Sequence, residues 1–166
     1  TPKYGRLNIH LDYEKHPLIE NKERRLNIIL YLNKTWKDEW KGDTELWDDN
    51  MTKCVVSQKI KYNSAILFET NNTSWHGVPE KLLCPDNESR KTIAYYYISP
   101  LTKKNNNDKN KYGADETGYR NKASFIARPG DNNKEKLDKF YKIRPTRRIT
   151  KKDIEDIWPE WNKVDY

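Results

Sequence analysis

From Arg24 to Asn33 the chain alternates strictly: Leu26, Ile28, Leu30 and Leu32 fall on one side, and Asn27, Ile29, Tyr31 and Asn33 on the other. That two-residue period is the mark of a β-strand, and the polar tips on its second side suit a surface facing a pocket. An earlier stretch, Leu7–Tyr13, repeats the pattern, with Leu7, Ile9 and Leu11 opposite Asn8, His10 and Asp12. Its polar side reads either as a pocket lining or as an exposed edge strand. Shorter strands are expected at Thr44–Trp47, Lys53–Val56, Ser64–Glu69 and Arg90–Ile98, with a further element opening at Ser74–Pro79. Turn signals separate them, among them Lys41-Gly42-Asp43, Asn71-Asn72 and the loop Cys84–Ser89. Many short strands between turns predict a mainly β sandwich or jelly roll.

Beyond residue 98 the pattern changes. Residues 103–113 are almost entirely Lys, Asn and Asp and are expected to form a mobile surface loop. Phe125–Ala127 is expected to return as a strand, closed by Pro129-Gly130. Lys134–Ile143 places Leu137, Phe140 and Tyr141 at helical spacing, and Thr150 with Asp153 resembles a capping box before Ile154, Ile157 and Trp158. Two short C-terminal helices packing on the outside follow from this.

Composition narrows the picture. At 166 residues, 34% hydrophobic and with a mean hydropathy of −1.16, the chain fits one domain with a compact core, bulked by 11 Tyr and 6 Trp. Trp36, Trp40 and Trp47 are expected to seal that core. The net charge of +7 is a balance of 32 basic and 25 acidic residues with both signs interspersed, so nucleic-acid binding is permitted but not indicated. The cluster Arg144, Arg147, Arg148, Lys151 and Lys152 reads as a solvated face. Cys54 and Cys84 fit no zinc spacing and read as free thiols, which with no apolar spanning run or leader suggests a soluble, cytoplasmic protein. The N-x-S/T sequons are those expected by chance in so Asn-rich a chain.

The candidate chemistry lies on the polar sides of the strands. Two histidines and a carboxylate, His10, Asp12 and His76, form a donor set that holds divalent iron on one face and leaves other positions open for a cosubstrate and dioxygen. His76 must come from a strand that folds back beside the first. Arg90 and Thr92 share a strand face, where a guanidinium and a hydroxyl can cradle the far carboxylate of a 2-oxo acid, and Tyr31 adds a second hydroxyl. Asn8 or Tyr13 is expected to orient the ligands. His16, beside Pro17, reads as a loop residue.

The ordered blocks His10-Leu11-Asp12, Arg25 with Tyr31–Trp36, Gly42–Trp47, His76–Pro79 and Arg90-Lys91-Thr92 resemble the Fe(II)- and 2-oxoglutarate-dependent dioxygenases, most of all their prolyl-hydroxylase-like branch. The resemblance covers residues 5–98. It implies a double-stranded β-helix (a jelly roll, cupin-like) with His10, Asp12 and His76 on iron, and Arg90 and Tyr31 on 2-oxoglutarate. It also implies oxidative decarboxylation of 2-oxoglutarate to succinate and carbon dioxide, coupled to hydroxylation of a substrate C–H bond, with ascorbate as a candidate reductant. The expected organisation is a single dioxygenase domain over 1–166, with a core of 5–98 plus 119–128, the loop 103–113 and a helical extension 133–166.

The chain departs from the family at two places. Lys41-Gly42 stands where the family usually has two glycines, which puts the local turn geometry in question. Only nine residues precede His10, where the family has a helical region and a first barrel strand, so either the chain is an N-terminally truncated fragment or something else closes the barrel edge. Three function classes remain open. One is a hydroxylase of a peptidyl proline, another amino-acid side chain, a small molecule or a glycan; another is a non-catalytic β-barrel binding module; the third, less favoured, is a nucleic-acid demethylase. Substrate choice is expected in the loops after Asp12 and around Lys103–Lys111.

Overall fold

The long alternating stretch forms β2 (Lys22–Tyr31), the middle of a three-stranded antiparallel sheet with β5 (Ala65–Glu69) on one side and β7 (Thr92–Pro100) on the other. The strand that carries His10, β1 (Leu7–Leu11), lies in a five-stranded sheet ordered β4 (Cys54–Gln58), β3 (Thr44–Trp47), β6 (His76–Val78), β1, β8 (Ser124–Phe125). Neighbours distant in sequence thus become neighbours in space, and the two sheets make the expected mainly β jelly roll. This computed structural model describes residues 1–49, 53–102, 114, 117–120, 124–125, 134–143, 151–157 and 159. The loop 103–113, Ile126–Ala127, Thr150, Trp158, Arg144, Arg147 and Arg148 lie outside the described residues.

Three register shifts interrupt the ladders, one of them between β3 and β4 at Leu46 and Trp47, and the other two alter the alternation of strands that carry the site. Leu7 pairs with Val78 but His10 with His76, so one extra residue sits in β1 between them. Leu7 therefore leaves the side of Ile9 and Leu11 and joins the cavity wall beside His10. In β2 the register shifts between Arg24 and Leu26. Arg24 then lies over the Tyr13 and Tyr96 rings, while Arg25 reaches outward to Glu69.

Among the described residues, two apolar clusters hold the sheets. Behind β1, away from His10, Ile9, Leu11 and Trp75 are buried with Trp47 packed against them. Between the sheets, Tyr31, Ile60, Ile66 and Phe68 pack with Ile29, Trp36 and Leu46. Trp36 and Trp47 thus seal core as expected. Trp75, the most buried tryptophan among the described residues, fills the centre of its cluster, where truncation of so large a side chain costs about 3–5 kcal/mol. The helices α1 (Lys134–Ile143) and α2 (Lys151–Ile157) pack on each other, and α2 buries Asp153 and Ile157. Among the described residues, no helix is long and apolar enough to cross a membrane.

Candidate metal centre

Antiparallel pairing of β1 with β6 sets His10 directly opposite His76, and the strand period returns Asp12 to the same side. All three are buried, and their donor atoms lie within 4.8 Å of one another. Asp12 Oδ1 is 3.6 Å from His10 Nε2, and Oδ2 is 3.7 Å from His76 Nε2. Gly77 makes this approach possible: a Cβ there would stand 2.7 Å from the Leu7 carbonyl oxygen and 2.9 Å from that of Asn8. Both of those atoms are backbone and cannot move aside.

The imidazoles are aimed by their other nitrogens. His10 Nδ1 donates to the Asn8 carbonyl and His76 Nδ1 to the Ser74 carbonyl, each at 2.8 Å, which turns both Nε2 lone pairs toward Asp12. Burial, reinforced by nearby His10, pushes the His76 pKa down to about 4, so at neutral pH its ring is uncharged, the form that binds metals. Burial alone would raise Asp12, but the His10 hydrogen bond and the His76 and His10 charges outweigh it and hold the carboxyl below its ordinary value. Of the expected supports, Asn8 orients His10 through its carbonyl, whereas the Tyr13 hydroxyl accepts from Arg24. It is Asn27 that donates to Asp12 Oδ2, at 3.1 Å, while its own buried Oδ1 has no partner among the described residues.

A cavity of about 220 Å³ is lined by the triad together with Asn27, Thr92, Ala94 and Tyr96 of the other sheet and Arg90 just before β7. Arg90 is buried and held from several sides. Its Nε donates to the Gly42 carbonyl at 2.9 Å, Nη2 to Thr44 Oγ1 at 2.7 Å and Nη1 to Thr92 Oγ1 at 3.4 Å. The Asn33 side chain clamps the backbone on both sides of it, donating to the Ser89 carbonyl and accepting from the Lys91 N–H. Tyr31 is fully buried and donates at 2.6 Å to Thr44 Oγ1, so Thr44 forms the wall and Tyr31 stands behind it. The turn that presents Gly42 survives the loss of one glycine: Lys41 takes φ +59° and Gly42 φ +99°.

Of the residues singled out from sequence, His10, Asp12, His76, Arg90 and Thr92 meet at one cavity, and Tyr31 reaches it through Thr44. Thr44, Asn27, Arg24, Asn33 and the buried Arg120 were not singled out. Asn27 and Asn33 shared the pocket-facing side of an alternating strand with Tyr31, which was signal enough. Arg24 was hidden by the bulge, and Thr44 and Arg120 by the distance in sequence to their partners.

A jelly roll that turns two histidines and a carboxylate into a cavity also lined by a buried arginine has the layout of a metal-dependent oxygenase. The family model of the 2OG-Fe(II) oxygenase superfamily matches residues 2–98, more than half of the chain, and the chain belongs to that superfamily. It is a 2-oxoglutarate-dependent oxygenase. No curated protein matches its sequence. Family membership implies Fe(II) and 2-oxoglutarate, and the donor set fits the metal: two imidazoles and one carboxylate, with no thiolate, suit a divalent iron.

Proposed function

We propose that the protein is a hydroxylase of the prolyl-hydroxylase-like type, acting on a peptide or protein. The observation that carries this reading is that the His10–Asp12–His76 cluster and Arg90 line one small cavity. In it His10, Asp12 and His76 hold Fe(II). Arg90 pairs with the distal carboxylate of 2-oxoglutarate, with Thr92, and Tyr31 acting through Thr44, completing the cradle. When bound, the iron and its cosubstrate supply the oxidising chemistry that consumes dioxygen, releases succinate and carbon dioxide and places one oxygen on the substrate. The protein's own part is to hold three donors on one face, fix the cosubstrate's far end and keep the cavity dry.

A peptide substrate is favoured by Arg24. Its guanidinium lies 3.7 Å from the Tyr13 ring centre and 3.6 Å from that of Tyr96, close enough to Asp12 to lower that carboxyl's pKa. Arg24 is thereby held as a fixed N–H donor beside Tyr96, which lines the cavity, and such a donor suits a peptide carbonyl. The test is succinate release, with Fe(II) and oxygen, against proline-rich peptides, free amino acids and sugars. The expected result is turnover with the peptides and a mass gain of one oxygen atom on proline. Turnover with sugars or free amino acids alone would replace this substrate class, and no succinate with any of them would favour a non-catalytic binding barrel. Omitting ascorbate from the same assay tests the reductant.

A further inference from the structure

β1 ends at Leu11, so Asp12 is a ligand standing one residue past the last rung of its ladder. What holds its backbone comes from far along the chain. Arg120 is fully buried, and its Nε donates to the Asp12 carbonyl at 3.1 Å. The same guanidinium reaches the segment before His76: Nη2 donates to the Asn71 carbonyl at 2.8 Å, and Nη1 donates to Asn72 Oδ1. The Asn71 carbonyl also accepts from Ser74 Oγ, and the Ser74 carbonyl is the group that aims His76 Nδ1. A continuous run of hydrogen bonds therefore joins Asp12 to His76 through Arg120.

The guanidinium is itself fixed. Glu14, also buried, pairs with Nη2 at 3.5 Å and accepts the Arg120 backbone N–H at 3.2 Å, and the Glu14 N–H donates to the Arg120 carbonyl at 2.9 Å. Four residues on, Ser124 pairs with Leu11, so the segment that supplies Arg120 also supplies the strand that covers the edge of β1. A planar fork with donors in set directions holds three acceptors at fixed separations, which an ammonium on a flexible stem does not.

We infer that Arg120 is a positioning residue for the metal centre: it sets the separation of the Asp12 and His76 arms and thereby the affinity for the metal. This rests on the reading of His10, Asp12 and His76 as metal ligands. The test is anaerobic titration of the full chain with Co(II), followed by its d–d absorption, at a temperature where circular dichroism shows each variant folded.

Arg120→Lys is expected to weaken Co(II) binding by about tenfold or more and to alter the d–d spectrum. Charge-balanced Glu14→Gln/Arg120→Met should do the same. Asn72→Ala, which leaves the Arg120–Glu14 pair intact, should give a smaller loss in the same direction, while the KM for 2-oxoglutarate at saturating metal stays near the parent's. A purely structural role would lower the melting temperature and leave affinity and spectrum unchanged. A folded Arg120→Lys protein that binds Co(II) as tightly as the parent, with the parent spectrum, overturns the inference. Should that variant not fold, parent-like affinity in folded Asn72→Ala does so instead. Failure of the parent itself to bind Co(II) overturns the metal-centre reading, a result distinct from either.

Discussion

In the five-stranded sheet both sides of β1 are buried, Ile9 and Leu11 behind and His10 in front, whereas the three-stranded sheet has one side in the cavity and the other in solvent. Its outward residues Leu67, Tyr95 and Tyr97 are 56%, 56% and 57% exposed. The two halves of the site are correspondingly held by different means. The metal donors stand on or just past strands covered on both sides, β6 and the Ile9–Leu11 end of β1, and are tied by long-range polar contacts. Arg90 sits at the start of an exposed sheet and is fixed by its own hydrogen bonds to Gly42, Thr44 and Thr92 and by the Asn33 clamp. Three donors that must converge on one ion tolerate less movement than one guanidinium that must meet one carboxylate.

The largest expected effects fall on the five-stranded sheet. His76→Ala removes one of three donors and should reduce succinate release to background and abolish the rise in melting temperature on adding metal; full turnover would sink the iron assignment. Gly77→Ala should act on the fold as well. Its Cβ would press on two backbone oxygens at under 3 Å, so β6 must draw away from β1. An overpacking cost of about 3 kcal/mol is expected, read as a lower denaturant midpoint at unchanged slope, together with weaker metal binding.

Arg90→Lys probes the other half. It keeps the positive charge but loses the paired donors, and an ammonium cannot bond Gly42, Thr44 and a carboxylate in one plane. A loss of about 2 kcal/mol, roughly thirtyfold in the KM for 2-oxoglutarate, should appear with metal affinity unchanged. If metal affinity fell with it, the two halves would not be separable.

How far the sequence predicted the site follows another division, regular local runs against bulges and distant contacts. His10 with Asp12, and Asn27 with Tyr31, were legible because each pair lies an even number of positions apart along an alternating stretch, two and four. Leu7 and Arg24 were not, since a single extra residue in β1 and in β2 reverses which side each side chain takes. Thr44 and Arg120 left no local trace at all. Each acts on a residue more than ten positions away, and only the fold brings them together.

Lys41 offers a smaller and opposite effect. It holds φ +59° with ψ −163°, a conformation open to glycine and strained for any residue with a Cβ. Its carbonyl accepts from Trp36 Nε1, a bond that glycine would keep, and its ammonium makes only an exposed contact with Glu80. Lys41→Gly should therefore stabilise the protein by about 1 kcal/mol, the relief of strain exceeding the extra freedom of glycine in the unfolded chain. An unchanged or lower melting temperature would mean that the turn carries no strain.

The smallest effect is the one that tests the comparison itself. Leu67 lies on β5 with its neighbours Ile66 and Phe68 buried and its own side chain pointing outward. On a face open to water, Leu67→Ser removes little buried area and should change stability by less than about 0.5 kcal/mol, measured by chemical denaturation. The same substitution on a covered face would expose the loss of a packed leucine, about 2 kcal/mol. A result near the higher value would show that the outer side of the three-stranded sheet is buried in solution, and the contrast between strands covered on both sides and an open sheet would fall.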